Sequence, residues 1–415
     1  MKKRIAILSY HTCPLASEEG KETGGMNIYV VHTAKKLVEQ GFIVDIFTRS
    51  QDPTQKKIVQ LSETLRVVHI KAGPENYMLP NSEENKKLFF TSIPEFVENI
   101  KIFQKEQQIA YDILDCHYYL SGLAGLELKK RDTIPLLMTF HTLALMKNLV
   151  SRSNLSSQER ERLKAEFLLT KEAQKIIAPS ETEKKYLEYL YEVPAEKITV
   201  ISPGVDTALF YPMNKQEAKR IVGASTDHKM ILFVGRIDPV KGLDVLLYAM
   251  KIFLKKHKTI KACLWIVGGD TSEAPEEWTG ELQKLEQLRQ LLSLHTTVQF
   301  IKQQYQKNLP KYYNAADLVV MPSHYESFGM TALEAMACST PVLTTNVTGV
   351  SELLDEQCQK HITTANNPLL LADKMAAILL HHKTSDDKAM LESLSHYDWK
   401  FVAEKIAEVY KQVLS

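Results

Sequence analysis

Two acidic side chains, Glu326 and Glu334, stand out in the stretch Pro322-Ser-His-Tyr-Glu-Ser-Phe-Gly-Met-Thr-Ala-Leu-Glu-Ala-Met-Ala-Cys-Ser-Thr-Pro341. A carboxylate is a two-oxygen acceptor, which suits vicinal hydroxyls such as those of a ribose or a sugar ring. The preceding run, Ala316-Asp-Leu-Val-Val-Met321, reads as a short buried strand, and Phe328 to Cys338, rich in Ala, Leu, Met and Glu, favours helix. The order is strand, loop, helix. Ser327 is the expected N-cap, which would aim the first-turn N–H groups at an anion. Gly329 would let backbone approach a ligand, with Glu326 in the loop and Glu334 about two turns into the helix. Taken alone, such a pair is most simply read as a loop acid and a solvated helix position.

A second constellation is Phe233-Val-Gly-Arg-Ile-Asp-Pro-Val-Lys-Gly242, following one strand-like run and opening the helix Leu243 to Phe253. Arg236 and Lys241, on a loop bounded by Gly235 and Gly242, suit a diphosphate leaving group whose charge grows as a glycosidic bond breaks. The plain alternative is a pair of exposed cations. In the first strand-to-helix turn, Glu22-Thr-Gly-Gly-Met-Asn27 precedes a helix to about Gln40 stopped by Gly41. Paired glycines permit close backbone approach, but this is not the full G-x-G-x-x-G of a dinucleotide site. His141 ends a strand in Leu137-Met-Thr-Phe-His-Thr-Leu143, where packing and function are equally served. There is no Asp-x-Asp or His/carboxylate cluster to hold a metal, so none is expected, nor any cofactor.

The string Ser-x-x-Glu-Ser-Phe-Gly-x-x-x-x-Glu-Ala-x-Ala-x-x-x-Pro-Val, from Ser323 to Val342, resembles the signature of the retaining GT-B glycosyltransferases of family 4. The Gly-Gly-Met-Asn turn, with Val-Asp-Ile-Phe-Thr-Arg49 after its helix, resembles the inositol-phosphate N-acetylglucosaminyltransferases of mycothiol synthesis; sucrose-phosphate synthases have a related loop. The resemblance implies that Glu326 faces the donor sugar hydroxyls and Glu334 grips the nucleotide ribose. It adds Gly235, Ser327, Phe328, Gly329 and Gln304 to the donor site, with Gly25 under the pyrophosphate or donor sugar. Arg236 and Lys241 become the catalytic cations, and His141 contacts the transferred sugar. Asn27, Tyr118, Thr142 and Arg162 are placed near the acceptor, with Arg160 a competing register for Arg162. Two positions depart from the mycothiol enzymes, which have a lysine where Asn81 aligns and an arginine where Gln304 aligns. Losing a cation from a phosphate pocket forfeits about 1.5 to 3 kcal/mol of charge-assisted bonding, so the acceptor stays open.

These residues need two scaffolds. At 415 residues the chain is too long for one ordinary core, and apolar runs alternate with amphipathic helix-length segments in two series, as in βαβ units. The first series runs Arg4–Ser9, Val44–Thr48, Leu65–Ile70, Ile113–His117, Pro135–Phe140, Lys175–Ala178, Ile198–Ile201. The second runs Met230–Gly235, Ala262–Gly268, Val298–Ile301, Asp317–Met321, Pro341–Thr345, His361–Thr364. Pro and Gly interrupt both periods from Ser202 to Pro212, so the expected domains are 1–204, binding the acceptor, and 205–395, binding the nucleotide sugar. Residues 396–415 form an amphipathic helix that the resemblance implies crosses back to the first domain. The expected fold class is α/β: GT-B, two doubly wound Rossmann-like domains facing across a cleft. Asp270 to Glu281 reads as a mobile excursion before a helix at Leu282–Ser293.

Lys+Arg 51 against Asp+Glu 50 gives no overall field toward nucleic acid or acidic membranes. Five widely spaced cysteines without a C-x-x-C pair fit reduced thiols and a cytoplasmic setting. The apolar run after Met1-Lys-Lys-Arg4 breaks at Tyr10-His11, too early for a signal peptide, and no run is long enough to span a bilayer. The implied partners are a nucleoside-diphosphate sugar, expected to be UDP-linked, and a small hydroxyl acceptor such as a cyclitol phosphate or sugar phosphate; a homodimer is left open. The rivals are a sucrose-phosphate-synthase-like transferase, a UDP-sugar 2-epimerase and a non-catalytic nucleotide-sugar-binding protein.

Overall fold

In the second half of the chain, successive strand residues turn to opposite faces, and helices cover both. The computed structural model describes residues 2–16, 24–76, 83–130, 134–151, 156–347, 349, 352, 362–363, 367–381, 391 and 394–415. The strands are β9 (Lys229–Val234), β10 (Ala262–Val267), β11 (Val298–Ile301), β12 (Leu318–Met321), β13 (Val342–Thr345) and β14 (Ile362–Thr363). Met230, Leu232, Val319 and Met321 pack on one side with Tyr313, Leu333 and Met336 of the helices Leu309–Ala315 and Met330–Ala337. Ile231, Phe233, Leu318 and Val320 pack on the other with Leu246, Met250 and Met375 of the helices Leu243–Lys256 and Pro368–His381. A period of two is thus read by two helical layers, which explains why these parallel strands are apolar on both faces.

The six strands are parallel, in the order β11-β10-β9-β12-β13-β14. Chain direction across the sheet reverses between β9 and β12, and the carboxyl ends of these two strands lead into the Arg236 loop and the Glu326 loop. Open α/β sheets bind ligands at this kind of switch point.

The other sheet contains β1 (Arg4–Leu8), β2 (Ile43–Arg49), β3 (Ile58–Ser62), β4 (Leu65–Ile70), β5 (Ile113–His117), β6 (Leu136–Thr139), β7 (Lys175–Ala178) and β8 (Ile198–Val200). Their order is β3-β4-β2-β1-β5-β6-β7-β8, and only the edge pair β3–β4 is antiparallel. Its switch point lies between β1 and β5, and β6 stands next to it.

The chain divides into two compact units, Met1–Pro203 with Trp399–Ser415, and Gly204–Asp398. Within the first, the last helix, Trp399–Leu414, lies on the helix Gly25–Glu39: the Trp399 ring stacks on His32 and meets Tyr29 edge-on. Further along, the Tyr410 hydroxyl donates to buried Asp115 Oδ2 at 2.6 Å. A hydrogen bond to a carboxylate contributes roughly 1.5–3 kcal/mol, so Tyr410→Phe is expected to lower unfolding stability by about 2 kcal/mol in urea titration.

The structure adds detail at three places. The helix expected at Leu282–Ser293 spans Gly280–Leu291, shifted by two residues at each end. Within the mostly exposed stretch Asp270–Glu281, Trp278 is buried edge-on to Phe300 and its indole N–H donates to the Glu273 carbonyl at 2.9 Å. The edge strand β3 is absent from the sequence reading, because Ile58–Ser62 is half-exposed and mixes apolar with polar residues.

Candidate functional site

At the switch point of the second unit two loops are locked together by backbone. Asp238 accepts from the Val240 N–H at 3.0 Å and starts the short 3-10 turn Pro239–Lys241. Gly242 ends it at a left-handed φ of 64°, where a Cβ would overlap the Pro322 carbonyl oxygen. The His324 N–H donates to the Val240 carbonyl at 2.8 Å. These contacts bring the Lys241 ammonium onto Glu326 Oε2 as an ion pair, with less than a fifth of either side chain exposed. Arg236, on the same loop, is exposed and makes no ion pair among the described residues. Gly235 packs its carbonyl where a Cβ on Gly268 would sit, so position 268 has room only for glycine.

Ser327 does not cap the helix. The N-cap is Gly329, left-handed at φ 93°, and the helix starts at Met330. The Ser327 hydroxyl instead lies 3.2 Å from that of Tyr325, and the Ser327 carbonyl sits where a Cβ on Gly349 would fall. With the bend at Gly329 the backbone has turned before Ser327 could reach the N2 or N3 amides. Phe328 is buried against Tyr397.

Glu334 is not a solvated helix position. It is 5% exposed; its Oε2 accepts from the Tyr313 hydroxyl at 2.7 Å, and Gln306 approaches Oε1 at 3.5 Å. Burial pushes its carboxyl up to about 7, against the two hydrogen bonds that favour the charged form. Tyr313 and Gln306 escape the sequence reading because no local pattern ties them to Glu334. Gln304 is half-buried, its amide donating to the Lys302 carbonyl at 2.9 Å.

In the first unit Gly24 is the N-cap and Gly25 the first residue of its helix, exposed to solvent. Asn27 is buried, its amide nitrogen donating to the Thr12 hydroxyl at 3.0 Å and the Cys13 carbonyl at 2.9 Å, so it fastens the loop after β1 to the helix. Arg49 is fully buried, donating to the Pro74 and Asn76 carbonyls. Asn81, later in that loop, lies outside the described residues, as do the Lys86 side chain, Glu22, Thr23 and the ends of the expected strand His361–Thr364; Lys87 is exposed on the helix Glu83–Thr91.

Of the two candidate arginines, Arg162 is half-buried and Arg160 is exposed. A capping box of Ser156 and Glu159 begins the helix Ser157–Glu172 that carries it. Arg162 donates to Glu166 at 2.7 Å and to the Thr142 carbonyl at 2.6 Å and hydroxyl at 3.1 Å, and lies over the Tyr118 and Tyr119 rings. Burial alone would lower its pKa, but Tyr118 and Glu166 outweigh this and keep it charged. The i,i+4 spacing of Arg162 and Glu166 is the one signal that the sequence offers for this pair. Tyr118, in turn, has a positive φ of 76° and sits beside His11, which burial and then Arg162 push down to about 3.

His141 follows β6 at φ 60°. Its Nε2 lies 2.9 Å from Nδ1 of buried His117, at the end of β5, and Tyr29 meets both rings edge-on. Burial, with His117 and His11 adding to it, holds His141 well below the usual imidazole range and hence neutral. The first unit therefore presents a cation, a neutral imidazole and aromatic faces near its switch point; the second presents two cations and two carboxylates near its own.

Two Rossmann-like α/β domains with such groups at their switch points make this a GT-B protein. Residues 23–209 match the family described as Glycosyltransferase Family 4, and residues 214–390 match Glycosyl transferases group 1. A D-inositol 3-phosphate glycosyltransferase from Saccharomonospora viridis is 30% identical over 417 residues, covering 100% of this chain and 95% of the relative. Another of that name, from Actinosynnema mirum, is 33% identical over 390 residues, 92% and 87% of the two chains. Sucrose-phosphate synthase from Thermosynechococcus elongatus superposes with a TM-score of 0.84 at 29% identity, covering 99% of each chain. HepE from Anabaena, solved with UDP and glucose, shares the fold at TM-score 0.72 and 17% identity, covering 99% of this chain and 100% of that one. The chain belongs to the group 1/family 4 glycosyltransferases and is a glycosyltransferase of GT-B fold. No helix among the described residues is long and apolar enough to cross a membrane.

Proposed function

We propose that the protein is a retaining glycosyltransferase that moves a hexose from a UDP-sugar to a hydroxyl of a cyclitol phosphate or sugar phosphate, with no metal in the reaction. The observation that supports this most is the gathering of Arg236, Lys241, Glu326 and Glu334 on elements that meet at one switch point, with Lys241 paired to Glu326. In this reading Glu334 holds the ribose diol and Glu326 the hexose hydroxyls, while Lys241 and Arg236 carry the diphosphate. The bond from the sugar anomeric carbon to the phosphate oxygen breaks, the acceptor oxygen bonds to that carbon on the same face, and the acceptor proton passes to the departing phosphate oxygen. Negative charge grows on the diphosphate in this step, and two cations fixed beforehand stabilise it. Lys241 then turns from Glu326 to phosphate, which leaves the carboxylate to accept from hydroxyls. In the first unit, Arg162, Thr142 and Tyr118 hold the acceptor, and His141 contacts the hexose.

The acceptor class draws support from the relatives, whose names specify D-inositol 3-phosphate, and from the likeness to a sucrose-phosphate synthase. The test is a matrix of UDP-, ADP- and GDP-sugars against inositol phosphate, hexose phosphates and lipid acceptors, read by thermal shift and nucleotide release. A UDP-sugar is expected to raise Tm, since a ligand bound by the native state stabilises it, and release is expected only with a phosphorylated acceptor. Product with the anomeric configuration of the donor is expected by NMR. Preference for another nucleotide, an inverted product or release of an epimer without acceptor would each overturn the reading.

A further inference from the structure

A buried polar array runs beneath His141. Tyr410 of the last helix donates to Asp115 Oδ2 at 2.6 Å, the same oxygen lies 3.6 Å from His117 Nε2, and His117 Nδ1 lies 2.9 Å from His141 Nε2. Asp115 and His117 are each 1% exposed, and neither Asp115 Oδ1 nor His117 Nε2 has a hydrogen-bond partner among the described residues. The other titratable groups around the array are Tyr29, whose buried hydroxyl has no partner among the described residues, the buried Cys116 thiol, and His11. The bond between the two imidazoles can be drawn in two ways, and the carboxylate decides between them. If His117 donated from Nδ1, a neutral ring would turn the bare lone pair of Nε2 toward the carboxylate. With the proton on Nε2 the N–H dipole points at the negative charge, Nδ1 accepts, and His141 must be the donor.

We infer that Asp115, acting through His117, is a positioning residue that fixes the tautomer of His141, holding its proton on Nε2 and making Nδ1 its acceptor atom. Under the proposed transfer reaction, on which the functional part of this inference rests, Nδ1 takes a hydrogen bond from a hydroxyl of the hexose. The carboxylate of a hydrolase triad fixes its histidine by the same logic; here a second imidazole stands between. The Tyr410 hydroxyl keeps the carboxylate turned toward His117.

The test is 15N spectroscopy of histidine-labelled protein, with His141 assigned by loss of its signals in His141→Gln. In the ligand-free wild type, His141 is expected with a protonated Nε2 and an unprotonated Nδ1. In the double variant Asp115→Val with Tyr410→Phe, which removes the charge without stranding a hydroxyl, the proton is expected to divide between the two nitrogens. Transfer kcat is expected to fall at least tenfold with little change in donor KM. Tyr410→Phe alone keeps the carboxylate and is expected to keep the wild-type tautomer. A wild-type His141 protonated on Nδ1, or a double variant with the wild-type pattern, would overturn the inference. If the double variant does not fold, the wild-type spectrum alone decides. The spectra need no substrate: a shifted tautomer in a protein that transfers no sugar would sink the proposed reaction and leave the positioning role standing, and an unmoved tautomer in an active enzyme would do the reverse.

Discussion

Lys241→Ala is expected to lower kcat/KM for sugar transfer between about a hundredfold and a thousandfold, or ~2.7–4 kcal/mol, the range for removing one fixed donor to charge developing in a transition state. The fold should tolerate the change. The Lys241–Glu326 pair still reaches solvent, and ion pairs of that kind contribute about 0–1 kcal/mol. The loss should therefore appear in initial rates while Tm stays within a few degrees of the wild type. Glu326→Gln on top of it should not restore activity, because the cation is wanted at the diphosphate and not merely as a counter-charge. A purified Lys241→Ala enzyme working within threefold of the wild type would remove Lys241 from the chemistry.

The second large effect concerns Glu334, and it has two signs. Its carboxyl titrates near 4.5 when unfolded and about 7 in the folded protein. Between those values the native state binds more protons than the unfolded state, so stability falls as pH rises through this window and stays lower above it. The shift corresponds to on the order of 3 kcal/mol. Glu334→Gln removes the titration and keeps an acceptor for Tyr313, so its Tm is expected to approach or trail the wild type at pH 5 and exceed it at pH 8. Nucleotide binding should move the other way. An amide offers one acceptor oxygen where the carboxylate offers two, and the UDP-induced rise in Tm is expected to shrink by an amount equal to at least a tenfold weaker Kd. A variant that gains no stability at high pH would show that the buried acid is compensated; one that binds UDP as the wild type does would free the ribose from Glu334. A position that costs stability and serves binding is what a ligand site looks like before its ligand arrives.

How much of this the sequence disclosed follows from the range of each interaction. The apolar run ending at Met321 contains the strand Leu318–Met321, because a parallel strand covered on both faces has to be apolar throughout; Leu65–Ile70 and Val298–Ile301 also coincide with their strands, although Arg66, His69 and Gln299 interrupt them. The edge strand Ile58–Ser62 carries no such mark, being half-exposed and paired on one side only. Glu326 and Lys241 were both legible, each inside its own string, yet nothing in either string foretold that they would meet across two loops. The same holds for Tyr313 with Glu334 and His117 with His141, where the sheet topology brings together residues that no local period relates. The Ser327 cap failed for the opposite reason: local propensity favoured it, and the left-handed turn at Gly329, fixed by packing around Gly349, overrode it.

The closing of the first unit by Trp399–Ser415 has a consequence for biosynthesis. The residues that seat Trp399 on Tyr29 and Tyr410 on Asp115 leave the ribosome only after the entire second unit has been made. The amino-terminal half must wait, exposing the bare flank of its first helix, while the intervening half folds as an insertion. A nascent chain halted short of Tyr410 is thus expected to be held by chaperones or degraded, and a carboxyl-terminal fusion that strains the last helix should harm the part of the protein most distant from it in sequence.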